Sequence, residues 1–191
     1  MEGRDRKSIS LPEDQERFIR EIYKSNPKTV LVLVAGSPLA IQWEQEHLPA
    51  IVNAWYPGEQ GGTAITDVLF GKYNPAGRLP LTYYASLDEL PAFDDYQVTN
   101  GRTYMYLASE PIYPFGYGLS YTSFNYTPIQ IDKSVLFVGD TLQVKVGVKN
   151  IGRYDGDEVV QLYLKKLDPE ETRPIKQLKG FRRIHLQKNE S

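Results

Sequence analysis

The spacing of apolar residues changes partway along this chain, and no single kind of secondary structure satisfies both patterns. Near the start, Leu11, Phe18, Ile19 and Ile22 recur at helical spacing, with Ser10 placed to cap and Pro12 near the first turn. This predicts a helix from Leu11 to Ser25 that ends around Asn26-Pro27. The unbroken run Val30-Leu-Val-Leu-Val-Ala35 follows, as expected of a parallel strand covered on both faces. A second strand is predicted at Ile51 to Tyr56. After Pro57-Gly-Glu-Gln-Gly-Gly62, a helix is predicted from Thr63 to Phe70, stopping at Gly71. Helix, buried strand, strand and helix make α/β grammar.

From Asn125 the period becomes two. Leu142, Val144, Val146 and Val148 share one face, while Gln143, Lys145 and Lys149 take the other. A second strand is predicted over residues 159–164, reached through the turn Asn150 to Gly156, and a third from Gly180 to Leu186. These imply a β-sandwich, although such a sandwich takes about seven strands and at most four are legible. Between the halves, residues 86–122 are rich in Pro, Gly and Tyr with no sustained period. Their aromatic content predicts an ordered connector, because flexible linkers and disordered tails are poor in aromatics. The reading is α/β followed by all-β, divided as 1–85, 86–122 and 123–191.

Charge and composition exclude several functions. A net charge of −2 without a block of like charge gives no electrostatic footprint for a nucleic acid or an anionic membrane. The apolar run Val30–Ala35 is far below the roughly 20 residues that span a bilayer. The charged opening residues read as no secretory signal, which leaves the compartment of the chain unassigned. There is no cysteine, and His47 and His185 stand far apart without ligand-spaced companions, so neither a metal nor another cofactor is expected.

Few side chains suggest chemistry by themselves. The Gly-rich turn at 57–62 opens a helix, where phosphates often bind, but it lacks a Lys-Ser/Thr pair and Glu59 would repel an anion. A tight strand-to-helix turn is the better reading. Glu2 and Asp5, interleaved with Arg4 and Arg6, read as a charged terminus, or as carboxylates tuned by neighbouring guanidinium groups. Asp88, Glu89, Asp94 and Asp95 read as a solvated loop. Trp43, Trp55 and Tyr56 have faces on which a sugar could stack, with core packing preferred for Trp55.

Four stretches carry a resemblance: Pro57-Gly-Glu-Gln-Gly-Gly62, Leu69-Phe-Gly-Lys-Tyr-Asn-Pro-Ala-Gly-Arg-Leu-Pro80, Gly101-Arg-Thr-Tyr104 and Tyr113-Pro-Phe-Gly-Tyr-Gly-Leu-Ser-Tyr121. In this order they resemble the C-terminal region of glycoside hydrolase family 3, the β-glucosidases and β-xylosidases. Asn150 to Tyr163 and Arg173 to Phe181 resemble the fibronectin type III-like domain attached to many members. The resemblance implies a partial α/β sandwich domain joined to an incomplete fibronectin-like β-sandwich. In the family these follow a (β/α)₈ barrel that bears an Asp nucleophile. No Ser-Asp-Trp stretch of the kind that carries that nucleophile occurs in these residues, so the chain alone is expected to be inactive. Glu2-Gly-Arg-Asp-Arg6 resembles the E-G-x-D-R stretch whose first Glu is the acid/base in some members, which makes Glu2 the candidate general acid/base.

The implied substrate of the parent enzyme is a β-linked oligosaccharide or aryl glycoside, and the implied partner is the missing catalytic barrel. The implied location of that parent is periplasmic or secreted. A non-enzymatic module that binds carbohydrate or protein is the competing reading. The resemblance also implies that the chain starts inside the second domain and stops before the last sandwich strands. Unfinished sheets then predict self-association.

Overall fold

The computed structural model describes residues 6–167 and 172–191. Helix α1 (Glu13–Ser25) begins two residues later than a Ser10 cap predicts. The Pro12 carbonyl receives the amides of Gln15 and Glu16, while Ser10 bridges instead to Ala40. Glu13, Asp14 and Glu16 in the first turn and Lys24 in the last complement the helix dipole. Strand β1 (Val30–Leu33) and strand β2 (Ala50–Asn53) pair in parallel, with Val30 opposite Ala50 and Leu33 opposite Asn53. The six-residue helix α2 (Gln42–His47) crosses between them. The sequence period did not predict α2.

Helix α3 (Gly61–Leu69) ends as expected, with Gly71 at φ +73° just beyond it, a conformation that costs a residue with a Cβ far more. The α/β core consists of Leu33, Leu39 and Ile41, packed against Leu11, Leu31, Ile51 and Tyr113. Tyr113 comes from the connector, which therefore contributes to this core. The connector holds a short 3₁₀ turn (Leu87–Glu89) and the one-turn helix α4 (Thr103–Tyr106). It folds back on the segment after α3, with Tyr83 and Tyr113 pairing antiparallel.

The remainder is all β. Strand β3 (Phe124–Tyr126) pairs with β6 (Val148–Asn150), and β4 (Gln130–Ile131) with β5 (Val144–Lys145). The single alternating strand expected over 142–148 is thus two strands with different partners. They part at Gly147, whose amide donates to Thr127 Oγ1 at 2.8 Å in place of a ladder partner. The long ladder joins β7 (Gly156–Leu164) to β8 (Gln177–Leu186), with a register shift at Leu162/Tyr163.

Asn150 is fully buried at the base of this half. Its Oδ1 accepts from Thr122 Oγ1 and Gly152 N, and its Nδ2 donates to the carbonyls of Tyr154 and Leu186. One satisfied amide thereby fixes the turn into β7 and the end of β8, since a buried polar group left without partners is costly. The observed order is α/β followed by all-β.

Candidate functional site

The carboxyl ends of parallel strands are where open α/β sheets bind ligands, because loops diverge there and leave a crevice. In this chain that edge is built from the loops after β1 and β2. Arg6 donates from its guanidinium to Ser37 Oγ at 2.7 Å and to the Pro38 carbonyl at 3.1 Å, both in the loop after β1. Three residues after Arg6, the Ile9 carbonyl accepts from Ala40 N at 2.8 Å. Residues 6–10 are therefore laid along 37–40 and anchored at the strand ends. A cleft of about 270 Å³ lies beside this anchor, lined by Arg6, Leu11, Gln15, Ile19 and Leu31 to Leu33 of β1.

The loop after β2 completes the edge. Ala54 N still donates to Leu33 O, and then Trp55 turns the chain at φ +54°, an uncommon conformation for a bulky residue. The turn presents Tyr56, 77% exposed, against Gly36 of the neighbouring loop: a Cβ on Gly36 would fall 2.3 Å from the ring. Below it, Asn53 Nδ2 donates to the hydroxyl of buried Tyr83 at 2.9 Å. Burial raises the Tyr83 pKa above the usual phenol value, and the hydrogen bond from Asn53 only partly offsets this. Asn53 Oδ1 is buried with no partner among the described residues, an open acceptor at the strand end.

Glu2, with Arg4 and Asp5, lies outside the described residues. Arg6 is the described member of that charged run; it is exposed and also hydrogen-bonds to the loop after β1. Its signal was the last letter of the E-G-x-D-R stretch. Ser37, Asn53 and Tyr83 gave no signal, because their contacts join residues 30 or more positions apart.

The other sequence candidates are dispersed. Trp43 is not an open platform: Arg20 sits 4.4 Å from its ring centroid, His47 stacks on it at 4.4 Å, and Tyr23 meets it edge-on at 5.7 Å. The acidic loop residues build local turns. Asp88 pairs with Ser86, Glu89 accepts from Ala85 N, and Asp95 accepts from Gln97 N and Asn100. The Asn100 hydrogen bond is the main reason Asp95 stays below the usual carboxylate pKa. Among the described residues no three His, Asp or Glu side chains gather as metal ligands.

The two-strand parallel sheet with a polar, anchored carboxyl edge, followed by a β-sandwich half, defines a chain of the α/β-plus-fibronectin class. Residues 1–121 match the glycosyl hydrolase family 3 C-terminal domain, and residues 158–191 match a fibronectin type III-like domain. The chain belongs to glycoside hydrolase family 3. It is 42% identical over 185 residues to a xylan 1,4-beta-xylosidase of Xylanibacter ruminicola, covering 96% of this chain and 21% of that protein. It is 36% identical over 201 residues to a periplasmic beta-glucosidase of Salmonella typhimurium, covering 99% and 26%. The solved beta-glucosidase of Kluyveromyces marxianus in complex with glucose superposes with a TM-score of 0.84 at 37% identity, covering 100% of this chain and 24% of that one. The chain thus spans about a quarter or less of these relatives and corresponds to their C-terminal part. Among its described residues there is no (β/α)₈ barrel.

Proposed function

We propose that these residues serve a retaining, exo-acting β-glycosidase, a β-glucosidase or β-xylosidase, by contributing the acid/base side of its active site through Glu2. Retaining hydrolysis uses two carboxyl groups roughly 5 Å apart: one attacks the anomeric carbon, and the other protonates the leaving oxygen and then activates water. These 191 residues supply one candidate for the second role, and the Asp nucleophile comes from a barrel. Hydrolysis is therefore a property of the parent protein, and the chain by itself does not turn over. The observation that carries the reading is the seating of Arg6 on the Ser37–Pro38 loop. Arg6 closes the Glu2-Gly-Arg-Asp-Arg6 stretch and lies at the carboxyl edge of the sheet, where α/β proteins place ligands. The periplasmic relative supports a periplasmic parent. Our domain limits remain 1–85, 86–122 and 123–191.

The test has two parts. Assayed alone on nitrophenyl glucoside and xyloside, the 191-residue chain should give no Glu2-dependent turnover, and such turnover would refute the claim of inactivity. Grafted in place of the matching residues of the Xylanibacter ruminicola enzyme, the chain should restore hydrolysis. Glu2→Ala should then lower turnover of substrates with poor leaving groups by about 10²–10⁴-fold, the usual range for a lost acid/base. Added azide should recover part of it by attacking in place of activated water. A Glu2→Ala graft with unchanged turnover sinks the assignment. Sugar pull-down by the chain with no effect of Glu2 in the graft would favour the accessory-module reading, which the open ring of Tyr56 makes worth testing.

A further inference from the structure

We propose that the β half is a brace locked onto the α/β half, with Glu158 as the bolt, so that the two halves hold their structure as one cooperative unit. The lock is a buried ion pair across the seam. Arg78, between α3 and the connector, donates to Glu158 Oε2 of β7 at 2.7 Å, with the two side chains only 13% and 12% exposed. The other carboxylate oxygen accepts from Tyr126 of β3 at 2.8 Å. Tyr126 is held protonated well above the usual phenol pKa, chiefly by burial and then by this bond to Glu158, so the hydroxyl remains a donor.

Three further contacts surround the bolt. Asn74 Nδ2 donates to the Asp155 carbonyl at 2.9 Å, while its Oδ1 accepts from Ser120 Oγ and Tyr121 N. Tyr104 of α4 stacks on Phe115 at 4.3 Å and meets Tyr163 of β7 edge-on at 6.1 Å; its hydroxyl accepts from Leu178 N of β8. Gln161 of β7 donates to the Gly116 carbonyl at 3.0 Å. A tethered module has no reason to bury a charge against its neighbour, since desolvating Arg78 and Glu158 is repaid only while the seam stays shut.

The brace reaches the candidate site. Gly116, which accepts from Gln161, donates to the Leu79 carbonyl at 2.7 Å, and the same pair of segments continues to Tyr83 and Tyr113. Tyr83 then accepts from Asn53 at the end of β2. A rigid path therefore runs from β7 through the connector to the strand edge. It concerns the architecture of the chain and holds whether or not Glu2 is the acid/base.

Both tryptophans, Trp43 and Trp55, lie in the α/β half, so their fluorescence reports that half alone. In the full 191-residue chain at low concentration, Glu158→Gln should lower the tryptophan melting midpoint by about 6–20 °C, the shift expected for a broken buried pair in a chain of this size. It should also speed amide exchange at β1 and β2 together with β7 and β8. If Glu158→Gln does not fold, Tyr126→Phe, which removes one hydrogen bond, should show the same joint effect at smaller size. Faster exchange confined to β7 and β8, with the tryptophan midpoint unmoved, would overturn the proposal.

Discussion

Glu44 is the residue whose environment most contradicts its type. It sits on α2 with 2% of its surface exposed, and one carboxylate oxygen has no hydrogen-bond partner among the described residues. Burial raises its pKa above the ordinary Glu value. The backbone hydrogen bond opposes this, Glu16 adds to it, and Arg20 and His47 pull it down. Arg20 is in turn occupied by Glu16 and by the Trp43 ring, so little of its charge is directed at Glu44. Because the folded-state pKa is raised, the contribution of Glu44 to stability is full below its ordinary value and is lost as pH rises through the folded pKa. Asp157 acts in the opposite sense. Its hydrogen bond from His185, followed by that from Arg183, lowers its pKa, so its contribution is present above the ordinary Asp value and lost in acid. Comparing Glu44→Gln with the parent chain isolates the first effect. The substitution should raise the melting midpoint at neutral pH, by on the order of 2–4 °C for each kcal/mol recovered, and should flatten the decline of stability above the acid range. An unchanged midpoint across pH 4 to 8 would show that the carboxyl is relieved by solvent.

The elements divide by what made them form. Helices α1 and α3, strand β1 and the long β7–β8 ladder were legible because their apolar spacing is local and long enough to carry a period. Helix α2, with the sequence Gln-Trp-Glu-Gln-Glu-His, has too few residues for a period and exists because Trp43 packs against Tyr23 and Arg20 of α1. The break at Gly147 and the anchoring of Arg6 likewise depend on partners distant in sequence, as do the contacts of Asn53. The motif Tyr113-Pro-Phe-Gly-Tyr-Gly118 was legible as a resemblance, and the structure now gives it a cause. A Cβ on Gly118 would fall 2.1 Å from the Gly77 carbonyl oxygen, a backbone atom that moves only if the connector separates from the segment after α3. Gly118→Ala should therefore cost about 1–3 kcal/mol, as other overpacked sites do. Gly62 lies inside α3 with open space where its Cβ would stand, and Gly62→Ala should stabilise by about 0.5–1 kcal/mol through helix propensity. Denaturant midpoints of the two variants should move in opposite directions, and a shift in the same direction would contradict this account of the motif.

At the scale of the whole molecule, the seam and the outer surface tend to different outcomes. The seam is closed by the buried Arg78–Glu158 pair and the polar contacts around it, whereas each of the four sheets holds only two strands among the described residues, leaving outer edges unpaired. Large apolar side chains stand beside those edges: Ile129, Phe137 and Val138 around the β4–β5 pair, and Leu164 and Phe181 on the long ladder, all more than half exposed. Exposed apolar rows next to open strand edges favour pairing between copies, and a net charge of −2 provides little repulsion to prevent it. The 191-residue chain should therefore self-associate with rising concentration, as read by sedimentation velocity. Phe181→Lys should reduce that association, because it places a charge on the face of the ladder while leaving its backbone pairing with Gln161 intact. Association driven by the edges leaves the Arg78–Glu158 pair untouched, so the tryptophan midpoint should rise with concentration while retaining its dependence on Glu158. A monodisperse monomer over the same range would show that these surfaces do not meet one another.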